Sequence, residues 1–196
     1  MKMRGLMWAG VMVLASCGPD VAPPVVEKVD PQVMAAIEAY RPDELKRLLE
    51  RENKRPSLDV IRAVAGKLEA TGARGEAGRR MLAVLLERSA DPGACWRDGG
   101  TRCLITVATG VKDREAVKLL FQYGYQPRSE EGCDAFLGAV EEGDLAMVDL
   151  YLGAKVDVNC RGDEAYGGER SPLSVAVEFR RREVIAKLEA AGAREW

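Results

Sequence analysis

The stretch that decides the fold lies in the second half of the chain. Residues 143–152 read GDLAMVDLYL, and VDVN follows at residues 156–159. Apolar residues at helical spacing before a short polar segment predict a helix that ends in a turn. A related arrangement returns later, where residues 171–176 read SPLSVA and residues 183–185 read EVI. The proline suits a first helical turn, since its missing N–H would be unpaired there in any case.

A third unit of the same kind occupies residues 103–127. It reads EAVKLLF before Gly124, and a glycine there can supply a left-handed helix end. Its small residue Ala108 lies 31 positions before Ala139, which lies 37 positions before Ala176. These spacings bracket a period of about 33 residues, which is typical of a solenoid of helical repeats. Two weaker units precede it, with ELKRLL in residues 33–52, and with MLAVLL and ADP in residues 58–92.

These motifs resemble the ankyrin repeat family. SPLSVA is similar to the family's Thr-Pro-Leu-His-x-Ala opening, and VDVN is similar to the finger that follows its second helix. The resemblance implies an all-α solenoid of helix pairs with short β-turn fingers over residues 31–196, in about five repeats of which the first two are degenerate. None of the units has the opening His, and Lys155 stands where the family usually has Gly. Helical spacing alone would also fit another helical-pair solenoid or an irregular bundle.

The first residues of the chain predict export. Lys2 and Arg4 precede an apolar stretch at residues 5–14, which is too short to span a bilayer as a helix. The following LASC resembles the lipobox of bacterial lipoproteins, which implies a signal peptide over residues 1–16 and lipidation of Cys17. Residues 17–30 then form a proline-rich tether. An ordinary cleaved signal peptide or an uncleaved anchor is the alternative.

The resemblance to lipoproteins also implies a location. Several acyl chains would hold the protein at a membrane surface without crossing it. Gly18, rather than Asp, follows the cysteine, which favours the outer membrane, with the folded part facing the periplasm.

Four further cysteines, Cys95, Cys103, Cys133 and Cys160, are an even number in a compartment that permits oxidation. Ankyrin geometry would place Cys95 and Cys103 on either side of one finger, with the turn at residues 98–100. The resemblance thus implies disulfides between Cys95 and Cys103 and between Cys133 and Cys160. Four buried free thiols are the alternative, and the spacing disfavours a zinc site.

Composition argues against catalysis and nucleic-acid binding. The formal charge is -2, aromatic residues make up 6% of the chain, and there is no His, so basic stripes and imidazole chemistry are missing. Neighbouring carboxylates such as Glu141 and Glu142 do not converge on one substrate from a helix. We therefore expect no enzyme activity, no cofactor and no bound metal.

The expected function is binding of another protein by a monomer, since ankyrin fingers and the first helices that follow them usually line one concave surface. The partner would be a toxin acting in the envelope, which this chain would neutralise as an immunity protein, or an envelope enzyme that it would hold or protect. The longest finger could also be an ordinary surface insertion. The candidate contact residues, chosen for their place in three fingers, are Trp96, Arg97, Asp98, Gln126, Arg128, Glu130, Arg161, Asp163, Glu164, Tyr166 and Arg170.

Overall fold

A computed structural model describes residues 29–162 and 170–194. Within these residues ten helices form five consecutive pairs, and a two-stranded hairpin precedes the third pair. The helices and strands are α1 (Pro31–Glu38), α2 (Pro42–Glu52), α3 (Leu58–Leu68), α4 (Gly72–Glu87), β1 (Cys95–Arg97), β2 (Thr101–Cys103), α5 (Leu104–Gly110), α6 (Arg114–Gln122), α7 (Glu130–Glu142), α8 (Leu145–Gly153), α9 (Pro172–Glu178) and α10 (Arg182–Ala190). The predicted all-α architecture of helix pairs is confirmed.

The pairs stack into two layers. One layer consists of the first helices of the pairs, and each of them packs on the first helix of the next pair: α1, α3, α5, α7 and α9. The other layer consists of the second helices, which pack on one another in the same way: α2, α4, α6, α8 and α10. One continuous apolar core lies between the layers, and its fully buried members include Ile37, Leu85, Phe136 and Tyr151. Each repeat therefore buries its apolar faces against its neighbours as well as within its own pair.

Left-handed residues end the helices at recurring places. Such residues follow the second helix of every pair: Asn53, Ser89, Gly124, Lys155 and Gly192. Lys155, which stands where the ankyrin pattern has glycine, adopts the glycine conformation with φ of 60°. The turn is thus kept at the cost of backbone strain, because a Cβ atom disfavours this region.

Ion pairs join neighbouring second helices, and we call them the inter-repeat ion pairs. They are Asp43–Arg80 at 2.9 Å, Lys46–Glu87 at 3.3 Å, Arg79–Asp113 at 3.0 Å, Arg114–Asp144 at 2.8 Å and Asp149–Lys187 at 2.6 Å. Exposed pairs of this kind contribute little individually, but Asp113 and Asp144 are nearly buried and also cap α6 and α8. These contacts join neighbouring repeats in a chain that has no histidine.

The two predicted disulfide bonds are present. Cys95 lies opposite Cys103 in the β1–β2 hairpin, where their Cα atoms are 4.0 Å apart, and residues 98–100 form the turn as expected. Cys133 of α7 is bonded to Cys160, which lies near the start of the longest finger. This second bond ties the finger to a first helix.

The predicted signal peptide, Cys17 and most of the tether lie outside the described residues. Among the helices that are described, none has both the length and the apolar character that crossing a membrane requires.

Candidate functional site: a groove along the first helices

Two adjoining cavities open along the first helices, and together we call them the first-helix groove. The larger, of about 420 Å³, lies between α5 and α7 and is lined also by Thr101 of β2 and Met147 of α8. The smaller, of about 60 Å³, lies between α7 and α9. Asp134, Gly138 and Glu141 of α7 line both cavities. The groove therefore spans three consecutive repeats with α7 in the middle.

Two glycines leave the groove open. A Cβ atom added to Gly110 or Gly138 would find no neighbouring atom within 4 Å, and neither residue has a positive φ. Glycine within a helix costs about 0.5–1 kcal/mol relative to alanine, so Gly138, inside α7, weakens its helix without satisfying any packing need. What it provides is space beside the flanking side chains.

The charged residues of the groove are mostly acidic. Its carboxylates are Asp134, Glu141, Glu142 and Asp144, whereas its cations are Lys112 and Arg170. Lys112 is 2.8 Å from Glu142, and the hydrogen bond and positive charge of Lys112 hold the pKa of Glu142 below its ordinary value. Arg170 is hydrogen-bonded to Glu178. Both cations thus already face a carboxylate.

Asp144 lines the larger cavity and is held ionised. Burial by itself would raise the pKa of its carboxyl group, but hydrogen bonds from the Met147 N–H and from Arg114 outweigh burial, and the pKa lies below its ordinary value of 3.8. The negative charge at this place is therefore a fixed feature at neutral pH.

Solved structures resemble the whole described architecture. The human ASB11 ankyrin repeat domain matches with a TM-score of 0.60 and 18% identity, over 85% of this chain and 71% of that one. The ankyrin repeat domain of Bcl-3, a member of the IκB protein family, matches with a TM-score of 0.50 and 20% identity, over 86% of this chain and 89% of that one. The chain has the ankyrin-repeat fold. No protein-family model matches the sequence, and no curated protein sequence does.

The ankyrin fold brings one predicted contact residue into the groove, Arg170. Arg97 and Asp98 are exposed at the tip of the hairpin. Asp98 forms an ion pair there with Arg62 of α3, with 3.4 Å between the carboxylate oxygen and the guanidinium nitrogen. The others that are described, Gln126, Arg128, Glu130 and Arg161, are exposed and line neither cavity of the groove. Asp163, Glu164 and Tyr166 lie outside the described residues.

Trp96 does not lie on the surface as expected. Its side chain is only 8% exposed and belongs to the apolar core. In a strand, successive side chains point to opposite faces: Arg97 faces solvent, and Trp96 faces the helices. A large apolar ring is stabilised by that burial, so Trp96 is a core residue and not a candidate contact.

Sequence reasoning missed the residues that shape the groove. Asp134, Gly138 and Glu141 recur at helical spacing on α7, which places them along one face. The available signal was Gly138 itself, an isolated glycine inside an apolar helical pattern.

In the described part of the chain, one cluster of three residues has the side-chain atoms that commonly bind metal ions close together. The sulfur atoms of Cys95 and Cys103 and a carboxylate oxygen of Glu131 lie within 4.8 Å of one another. The two sulfurs are joined in a disulfide, and metal binding by cysteine requires free thiolates. The oxidised hairpin is therefore not a metal site.

Proposed function

We propose that this chain is a protein-binding module whose partner lies in the first-helix groove. The ankyrin fold supports this proposal, because repeats of this kind are typically non-catalytic scaffolds for protein interaction. The observation that carries it is the open space at Gly138, at the junction of both cavities. What distinguishes Gly138 from other helical glycines with open space is its place where the two cavities meet, which leaves room for part of a partner.

The test compares two glycines with similar surroundings. Gly138→Gln would fill the groove, whereas Gly153→Gln places the same side chain on α8, where an added Cβ atom also meets nothing within 4 Å. The full chain and both variants, purified in detergent, serve as baits for envelope extract. We expect a partner that both wild type and Gly153→Gln retain and that Gly138→Gln loses. Equal capture by both variants would contradict binding in the groove.

We further propose that Cys17 carries a lipid and that the module faces the periplasm from the outer membrane. The lipobox-like LASC and the proline-rich segment after it support this. The partner would then be an envelope protein, either a toxin that the chain neutralises or an enzyme that it protects. Deleting the chain distinguishes them: a toxin partner would become lethal to the cell, whereas an enzyme partner would lose abundance or activity.

A further inference from the structure

We infer that the smaller cavity of the first-helix groove takes a basic side chain, Lys or Arg, from the partner. The inference rests on the proposed function and names the chemistry that the partner must present. It concerns the space between α7 and α9 that Leu137, Gly138, Glu141 and Val175 line.

The shape of this cavity suits a long side chain with a polar end. Leu137 and Val175 supply apolar wall, Gly138 and Gly162 add no side chain, and carboxylates of α7 line the same space. Lys and Arg combine an aliphatic stem, which packs on apolar surface, with a cationic end that seeks water or a carboxylate.

The charge balance favours a cation over an anion. Lys112 and Arg170 lie at the groove but already face Glu142 and Glu178. Glu141 differs: its backbone carbonyl accepts a hydrogen bond from Arg181 Nε at 2.7 Å, yet within residues 29–162 and 170–194 no ion pair is formed by its carboxylate. A partner cation can thus pair with Glu141 without displacing a cation of the protein's own.

Other occupants would be penalised at the same place. An acidic side chain would meet like charge, and repulsion between like charges disfavours an interface. A purely apolar side chain would bury the Glu141 carboxylate without a partner, and a buried unpaired charge is expensive. A basic side chain avoids both penalties and gains the apolar contact of its stem.

The test uses a phage-displayed library of random 12-residue peptides, selected on the full chain in detergent. We expect selected peptides to contain a Lys or Arg whose replacement by Met weakens binding at least 10-fold. Glu141→Lys should weaken the same peptides at least 10-fold. A peptide with Glu in place of its basic residue should bind Glu141→Lys better than it binds wild type, which a merely structural role of Glu141 would not produce.

The control is Glu189→Lys, because Glu189 is an exposed glutamate of α10 that lines neither cavity and is not among the candidate contact residues. Glu189→Lys should leave peptide binding unchanged. Peptides that Gly138→Gln abolishes but that need no basic residue would overturn the inference and leave the proposed function standing. If Gly138→Gln weakens the binding of no selected peptide, both the inference and the proposed binding in the groove are wrong.

Discussion

In the proposed binding mode, Gly138 is the residue where stability and binding oppose each other. Gly138→Ala adds a methyl group that meets no atom within 4 Å, so we expect the free energy of unfolding to rise by about 0.5–1 kcal/mol. Gly66→Ala, within α3 and outside the groove, should give a similar gain. Urea unfolding of both variants checks this, and a loss of stability at Gly138 alone would show that its glycine is required for packing.

Lys155 is strained by its left-handed backbone. Glycine adopts this conformation without a steric penalty, so Lys155→Gly should raise the free energy of unfolding by about 1 kcal/mol. Lys155→Ala is the control, because it removes the same side chain but keeps the Cβ atom. A similar gain from alanine in urea unfolding would assign the effect to the side chain and not to the turn.

Tyr151 joins the third and fourth repeats through a buried hydrogen bond. Its hydroxyl lies 2.7 Å from that of Thr109, and burial raises the pKa of Tyr151, which keeps the phenol protonated. Tyr151→Phe or Thr109→Val alone should each destabilise by about 1–3 kcal/mol, because each leaves a buried hydroxyl unpaired. The double variant should cost less than the two losses together. Additive losses in urea unfolding would show that the hydroxyls do not interact.

The sequence indicated some of these residues and misassigned others. Lys155 was identifiable because the repeat pattern has glycine at its position. Trp96 was placed wrongly because a three-residue strand gives no pattern that says which of its faces is inward. The sequence shows Gly138 only as an isolated glycine inside an apolar helical pattern. It does not show the cavity beside Gly138, because that cavity also depends on where α9 packs.

At the scale of elements, the cap of α8 predicts an acid-sensitive contribution to stability. Asp144 has a lower pKa in the folded chain than in the unfolded one, so its stabilising effect is present above about pH 4 and is lost as pH falls through the folded pKa. Asp144→Asn keeps a capping side chain but removes the charge. We expect wild type to be more stable at pH 7 and the difference to shrink as the pH falls below about 4, measured by urea unfolding. A constant difference would contradict an ionic origin.

The two disulfides should differ in their effect on stability. Cys133 and Cys160 are 27 positions apart, whereas Cys95 and Cys103 are 8 apart. Closing the longer loop removes more entropy from the unfolded chain, about 3.5 against about 2.5 kcal/mol. Replacing Cys133 and Cys160 by Ala should therefore lower the unfolding midpoint more than replacing Cys95 and Cys103. The reverse order would show that local packing in the hairpin outweighs loop closure.

The elements of the second repeat were the hardest to predict. The sequence indicates a helix around residues 81–86, but α4 begins at Gly72. Glycines in the first half of α4 obscure the helical pattern, and the structure explains two of them. A Cβ atom added to Gly75 would lie 2.4 Å from the carbonyl oxygen of Ala70. A Cβ atom added to Gly78 would lie 2.6 Å from the carbonyl oxygen of Lys67. These glycines allow α4 to approach the end of α3 closely.

At the scale of the whole molecule, the proposed anchor predicts membrane association through one residue, Cys17. Cys17→Ala should move the protein from the membrane fraction to the soluble fraction and abolish labelling by a radioactive fatty acid, since the acyl chains supply the attachment. Cys160→Ala, which removes a cysteine of the folded part, should leave both unchanged. Continued sedimentation of Cys17→Ala with membranes would overturn the lipid anchor.

The repeat architecture was predictable as a whole because it follows from the spacing of the repeat units and of their apolar residues. That spacing is kept although the units have no histidine and Lys155 stands in place of a glycine. The groove was not predictable, because it forms between repeats whose facing residues are far apart in sequence: Thr106 of α5 and Val175 of α9 line its two ends. The spacing of apolar residues within a helix predicts which of its residues are buried. It does not predict the cavities that form between neighbouring helices.

The inter-repeat ion pairs also bear on how such a chain could grow by tandem duplication. Arg79 contacts the capping Asp113, and Arg114 contacts the capping Asp144, so a duplicate of the third repeat would present compatible charges to both of its new neighbours. At the final junction the order reverses, since an acid of α8, Asp149, meets a base of α10, Lys187. The middle of the array is therefore the place where length could change with the least disturbance, and its end is not.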